Sequence, residues 1–225
     1  MRVYTERDTM SSTSGRSSLD DVVDAYKAGI DVTLIDVNLR RSVDERLANL
    51  QRFPSARGPR ARDGEVTDFA ALIQRLSDAA IEFILIGGVA ATVHGSVRLT
   101  RDVDVVYARD SNNVRKICDA LEKIRPYLRG ASKGLPFRLD PPTMTAGLNF
   151  TLTTDEGDLD LLGEMTGGGT YEQLLPRAVR IEMYGRTCYC LSIDQLIAAK
   201  RAAGRPRDID AIAELEIIRE RSTRT

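Results

Sequence analysis

Histidine is almost absent from this sequence. His94 is the only one, which excludes multi-histidine metal centres. Cysteine is scarce too: Cys118, Cys188 and Cys190 are the three. They lack metal-ligand spacing, fall in helix-like and strand-like contexts, and read as reduced core residues of a cytoplasmic protein. No apolar run is long enough to span a bilayer, and the amino terminus lacks the apolar stretch of a secretory signal. Neither sign of charge is in excess, with 32 Lys and Arg against 33 Asp and Glu and a net charge of −1. No global field therefore draws in nucleic acid, and any RNA contact must come from local patches. What is present, 42% hydrophobic and 29% charged residues over 225 positions, suits a soluble globular chain of one sizeable domain plus an appendage.

Residues 1–18 are rich in Ser, Thr and charge and read as a disordered tail. Residues 19–53 read as helical: Val22, Val23, Tyr26 and Ile30 recur at helical spacing, and Ser42 with Glu45 forms a capping box for a second helix. Residues 54–66, rich in Pro, Gly and Arg, form a linker. The core spans 67–191. Phe69, Leu72, Ile73 and Leu76 make a helical stripe, and 83–86 a buried strand ending at Gly87-Gly88. A helix then runs from Val89 to His94, closed by Gly95, and 103–107 is the next strand. Ser111 is expected to cap a helix lined by Val114, Ile117, Cys118, Leu121 and Ile124. Hairpins are expected around 154–157 and 184–186. Residues 192–225 form a helical segment, with Ser192 and Gln195 capping its first helix, Gly204 and Pro206 breaking it, and a last helix over about 207–220.

Two carboxylates, Asp102 and Asp104, lie two apart on a predicted strand, so both leave one face while Val103 and Val105 take the other. Such a repelling pair is either an exposed strand face or a site compensated by a hard divalent cation. The segment before it bears on the choice. Gly87-Gly88 joins a buried strand to a small-residue helix start, where free N–H groups and the positive dipole end point at an anion such as phosphate. A phosphate cradle followed by two carboxylates is a geometry for holding a nucleoside triphosphate against metal ions.

Gly87-Gly88, His94-Gly95, Arg98, Thr100 and Asp102-Val103-Asp104 together resemble the signature of the DNA polymerase β-like nucleotidyltransferases. More narrowly, they resemble the AbiEii/MenT-type toxin nucleotidyltransferases, whose carboxyl-terminal Lys and Asp around an Arg-rich joint are matched by Lys200, Arg205 and Asp208. The resemblance covers about 68–215. It implies an α/β (α+β) fold, a mixed sheet flanked by helices with helical amino- and carboxyl-terminal extensions. It also implies transfer of a nucleoside monophosphate from an NTP to an acceptor hydroxyl. Asp102 and Asp104 would hold two Mg²⁺ ions (or Mn²⁺), a later carboxylate would complete the site, and Gly87 and Gly88 would position the phosphates. The chain departs from many superfamily members in having Gly88 where a serine hydroxyl often helps hold phosphate.

Asp158 and Asp160 compete for the third carboxylate. Asp160 lies deeper in its strand between two leucines and is the choice, with Asp158 as a turn residue. Lys200 continues the apolar stripe of Ile193, Leu196 and Ile197, so it either snorkels to solvent or points into a polar cleft. The resemblance favours the cleft and a contact with the triphosphate. Asp208 is either a helix-terminal residue or a site residue. Arg98 could fork onto a phosphate, and His94 reads as a packed structural residue. Gly167-Gly168-Gly169 reads as a turn beside the site. Arg201, Arg205 and Arg207, with Arg57, Arg60 and Arg62 of the linker, are candidate RNA contacts or simply solvated charge. The resemblance ranks a tRNA 3′ end, in a toxin–antitoxin setting, first among acceptors. A small molecule such as an aminoglycoside, a protein, and a non-catalytic binding role are the alternatives. The amino-terminal helices remain open between docking a partner such as an antitoxin, self-inhibition and bracing the core.

Overall fold

The computed structural model describes residues 17–52, 67–132 and 134–223. Residues 1–16 of the tail expected over 1–18, and the linker with Arg57, Arg60 and Arg62, lie outside the described residues, while Ser17 and Ser18 belong to the start of the first helix.

The chain begins with three helices, α1 (Ser18–Lys27), α2 (Val32–Leu39) and α3 (Val43–Arg52). Ser17 and Asp20 form a capping box at α1. At α3 the expected box is present, with Ser42 Oγ accepting from the Glu45 N–H and Glu45 Oε2 from the Ser42 N–H. Next come α4 (Phe69–Asp78), β1 (Phe83–Ile86), α5 (Gly87–His94) and β2 (Asp102–Tyr107). They lead into α6 (Ser111–Glu122), β3 (Tyr127–Leu128), α7 (Pro141–Ala146), β4 (Asn149–Thr154) and β5 (Gly157–Leu162). Then follow β6 (Glu164–Met165), β7 (Gly169–Thr170), α8 (Tyr171–Leu174), β8 (Val179–Met183), β9 (Arg186–Cys190), α9 (Ile193–Ala203) and α10 (Ile209–Ser222). Among the described residues no helix is long and apolar enough to cross a membrane.

Seven strands form one mixed sheet in the order β3-β4-β5-β2-β1-β9-β8. The neighbours β1–β9 and β2–β5 are parallel and the others antiparallel. β1 is apolar and buried at every position, as a central strand covered on both faces must be. β2 and β5 alternate: Val103, Val105, Leu159 and Leu161 are buried, while Asp102, Asp104, Asp158 and Asp160 leave the other face. The stripe of Phe69, Leu72, Ile73 and Leu76 is wholly buried on α4, which packs across β2, β5 and β9. The three cysteines are free and buried.

Two details differ from expectation. The cap of α6 is Asp110, whose carboxylate accepts from the Asn112 and Asn113 amides. Asp and Ser are comparable caps, and the residue with extended φ and ψ takes the position. A separate two-stranded pair, β6 and β7, carries the Gly167–Gly169 turn, which is pressed onto α9, for a β-carbon at Gly167 would meet that of Ala202.

The amino-terminal helices are knitted to the rest. Buried Asn38 donates from Nδ2 to the carbonyls of Gly95 and Ser96, at 3.0 and 3.1 Å. Arg46 donates to the carbonyls of Val93, Asn38 and Leu39. These are carbonyls at or near helix ends, which need partners once buried. Arg201 on α9 bridges Asp20 on α1 and Glu216 on α10, at 2.7 and 2.6 Å. Asn38→Ala leaves the Gly95 and Ser96 carbonyls without this donor, and should cost about 1–3 kcal/mol, read as a shift in the urea midpoint. Unchanged stability would remove the bracing role of the segment.

Candidate functional site

The site is built where β1 ends. The register pairs Ile86 with Asp104 across β1 and β2, so the chain leaving β1 passes directly beside the Asp104 carboxylate. Gly87 turns there with φ +62°, and a β-carbon on it would run into that carboxylate. Only glycine combines this φ with this approach. Helix α5 begins at Gly87 with no side-chain cap, and the Gly88 amide favours the charged form of Asp104. The neighbouring strand thus supplies the anion at the helix start.

The parallel pairing of β2 and β5 sets Asp102 beside Asp158 and Asp104 beside Asp160. Asp102, Asp104 and Asp160 can each offer an oxygen such that all three lie within 4.8 Å of one another. Three hard oxygen donors at this spacing fit a divalent cation. Asp158 is turned aside, accepting from the Thr153 hydroxyl at 2.8 Å. Thr100 donates its hydroxyl to Asp102 at 3.1 Å. Its side chain also fills the space where a β-carbon on Gly88 would lie. A hydroxyl therefore stands beside the glycine pair, supplied from residue 100 and not from the turn.

Beyond the glycine pair lies a cleft of about 150 Å³ lined by Gly87, Gly88, Arg98, Thr100, Lys200 and Glu214, among others. Lys200 points into it, and its Nζ pairs with Asp208 at 2.9 Å. The anionic partner of Lys200 is thus Asp208 and not a carboxylate of β2 or β5. Asp208 also stands at the N-cap position of α10, without a side-chain cap hydrogen bond. Arg98 pairs with Asp210 at 2.7 Å across the cleft mouth. His94 lies outside this group. Its Nε2 donates to the Leu191 carbonyl at 2.7 Å, and burial pushes its pKa down, which keeps it neutral. Arg201 is committed to its two ion pairs, whereas Arg205 and Arg207 are exposed.

Two residues that sequence reasoning passed over belong here. Arg129, just past β3, pairs with Asp102 at 3.2 Å and with Asp160. Nothing local marks it, because its reach depends on β3 pairing with β4. Glu214 is 3% exposed and accepts from the Ser96 hydroxyl at 2.9 Å and the Val97 amide at 2.8 Å. It thereby ties the 96–100 segment to α10. Its signal was present: an acid inside the run Ile212-Ala213-Glu214-Leu215 must be bonded when buried.

Burial, then the Asp102 and Asp160 charges, raise the Asp104 pKa from 3.8 to about 7. Burial raises Asp160 to about 6, opposed by Arg129. The folded chain therefore holds protons that the unfolded chain has released, and native stability falls as pH rises from about 4 towards 7. In metal chelator, Asp104→Asn should gain stability over wild type progressively through that window. The check is the difference in urea midpoints at a series of pH values, and a pH-independent difference would refute the assignment of the buried charge.

Residues 65–224 match the family model described as nucleotidyltransferase of unknown function (DUF6036). No curated protein matches the sequence. A match of this extent, over a sheet that brings a glycine-started helix against an acidic cluster able to hold a metal ion, places the chain in that nucleotidyltransferase family.

Proposed function

We propose that the chain transfers a nucleoside monophosphate from an NTP to an acceptor hydroxyl, releasing pyrophosphate, with divalent metal ions held by Asp102, Asp104 and Asp160. The observation carrying this reading is the contact between the start of α5 and Asp104. Phosphate-binding amides and metal-binding carboxylates meet at one point, as a metal-bound triphosphate requires.

Magnesium ions, or manganese in their place, would there neutralise the charge developing on the phosphate and on the attacking and leaving oxygens. The chain's own groups do the rest. The Gly87-Gly88 turn lets the backbone approach the phosphates closely. Lys200 offers a compact charge to the triphosphate tail and gives up Asp208 to do so. Arg98 does the same from Asp210. Thr100 provides the hydroxyl that a serine at position 88 would otherwise bring. The acceptor oxygen bonds to the α-phosphorus as the bond to pyrophosphate breaks, and Asp160 takes the acceptor's proton.

The resemblance to AbiEii/MenT-type toxins points to a tRNA 3′ end as acceptor and to an antitoxin as partner. Exposed Arg205 and Arg207, at the joint between α9 and α10, are cationic groups that an RNA backbone could meet. Arg201 is tied up in ion pairs, so neutralising it should disturb packing more than RNA affinity.

The test incubates the chain with each labelled NTP and magnesium, first with total tRNA, then with total protein. Label should pass to RNA. Asp102→Asn and Asp160→Asn should each lower the rate about a thousandfold or more, and Asp158→Asn far less. Lys200→Met should keep stability and lose NTP affinity. Undiminished transfer in Asp102→Asn or Asp160→Asn removes the assignment. Label in protein or in neither fraction removes the RNA acceptor.

A further inference from the structure

Four carboxylates leave one face of β2 and β5, and one side chain answers three of them. Arg129 is anchored by its backbone, whose N–H donates to the Thr151 carbonyl of β4 at 2.9 Å. From there its side chain crosses β4 and β5. Nη1 lies 3.2 Å from Asp102, Nη2 bonds Asp160, and Nε lies 3.5 Å from Asp158. The fit is incomplete, for Nε is buried and makes no hydrogen bond.

Asp102 and Asp160 are two of the three groups whose oxygens converge for a cation. The guanidinium uses those same carboxylates, and it cannot shed its proton to make room. A divalent ion placed between them would meet a fixed positive charge in contact with its own ligands. Arginine and ion therefore exclude each other by charge as well as by space.

The sheet order adds direction. β1 and its glycine turn lie on one side of β2, while β5, β4 and β3 lie on the other. In an in-line displacement the attacking oxygen enters opposite the leaving pyrophosphate. With the triphosphate tail towards the glycine turn, the acceptor must enter over β5 and β4, and Arg129 lies across that approach.

Resting on the metal-dependent reading above, we propose that Arg129 is an internal cation that stands in for the metal ions in the empty site, closes the acceptor's approach, and is displaced when ions arrive. Asp102, Asp158 and Asp160 then keep a positive partner until the ions arrive, and the acceptor side opens only once the ions are in place.

The experiment measures Mn²⁺ binding by calorimetry in the absence of nucleotide, for wild type, Arg129→Gln and Asp102→Asn. Removing a competitor that holds the site in a non-binding state raises apparent affinity by the fraction released, here on the order of tenfold for Arg129→Gln. In parallel, an arginine-directed dicarbonyl reagent with peptide mass mapping reads Arg129 in the wild-type chain. Its modification should rise when Mn²⁺ is added. Equal or weaker Mn²⁺ binding by Arg129→Gln overturns the proposal and leaves the metal reading standing. If wild type and Arg129→Gln bind no Mn²⁺, both readings fall. If Arg129→Gln does not fold, the wild-type labelling decides alone: a rise with Mn²⁺ supports displacement, and unchanged or reduced labelling overturns it.

Discussion

Two parallel strands, β2 and β5, run side by side in a register that stacks Asp102 on Asp158 and Asp104 on Asp160. Their other faces are valines and leucines sealed in the core, so neither strand can slide by one residue without burying acids and exposing the apolar set. The crowd of negative charge is thus imposed by core packing, and the surroundings are arranged to bear it. The Gly88 amide and the Thr100 hydroxyl each take one carboxylate. Arg129 lies over two of them and beside a third. What remains uncompensated shows as the raised pKa values of Asp104 and Asp160. Perturbed carboxylates of this kind cluster at functional sites in proteins generally.

Much of this was legible in the sequence because the elements that carry it are long enough to show a period. The alternation of Val103 and Val105 with Asp102 and Asp104 announced a one-sided strand. The α4 stripe, the strand–glycine–helix passage and the capping box of Ser192 with Gln195 did the same for their elements. The preference for Asp160 over Asp158 followed from depth in the strand, and the geometry brings Asp160, not Asp158, towards Asp102 and Asp104. Two-residue strands such as β3 and the short α7 and α8 have no period to read. Arg129 was hidden for that reason, since only the pairing of β3 with β4 brings it across the sheet. Lys200 was read towards a polar cleft; it is among the residues lining the cleft beyond the glycine pair, and its anionic partner is Asp208, eight residues on and past the break at Gly204.

The helices at the two ends of the chain meet one another as well as the sheet. Lys27 on α1 pairs with Glu216 on α10 at 2.7 Å, and Glu216 is shared with Arg201 of α9. Two residues earlier on α10, Glu214 holds the 96–100 segment that carries Arg98 and Thr100. The cleft wall is therefore referenced to α10, and α10 in turn to α1. Cations facing the cleft are neutralised by acids from the carboxyl-terminal segment, Lys200 by Asp208 and Arg98 by Asp210, and a polyanion entering there would exchange partners with them.

The tight fit of Thr100 against Gly88 also constrains how such a sequence can drift. A serine at position 88 would place its β-carbon in space that the Thr100 side chain occupies, so that single step is sterically penalised while the threonine stays. Shrinking residue 100 to serine would keep the hydroxyl on Asp102, but its β-carbon would still lie in that space. Positions 88 and 100 are thus coupled: a side chain at 88 requires the backbone or the residue at 100 to give way.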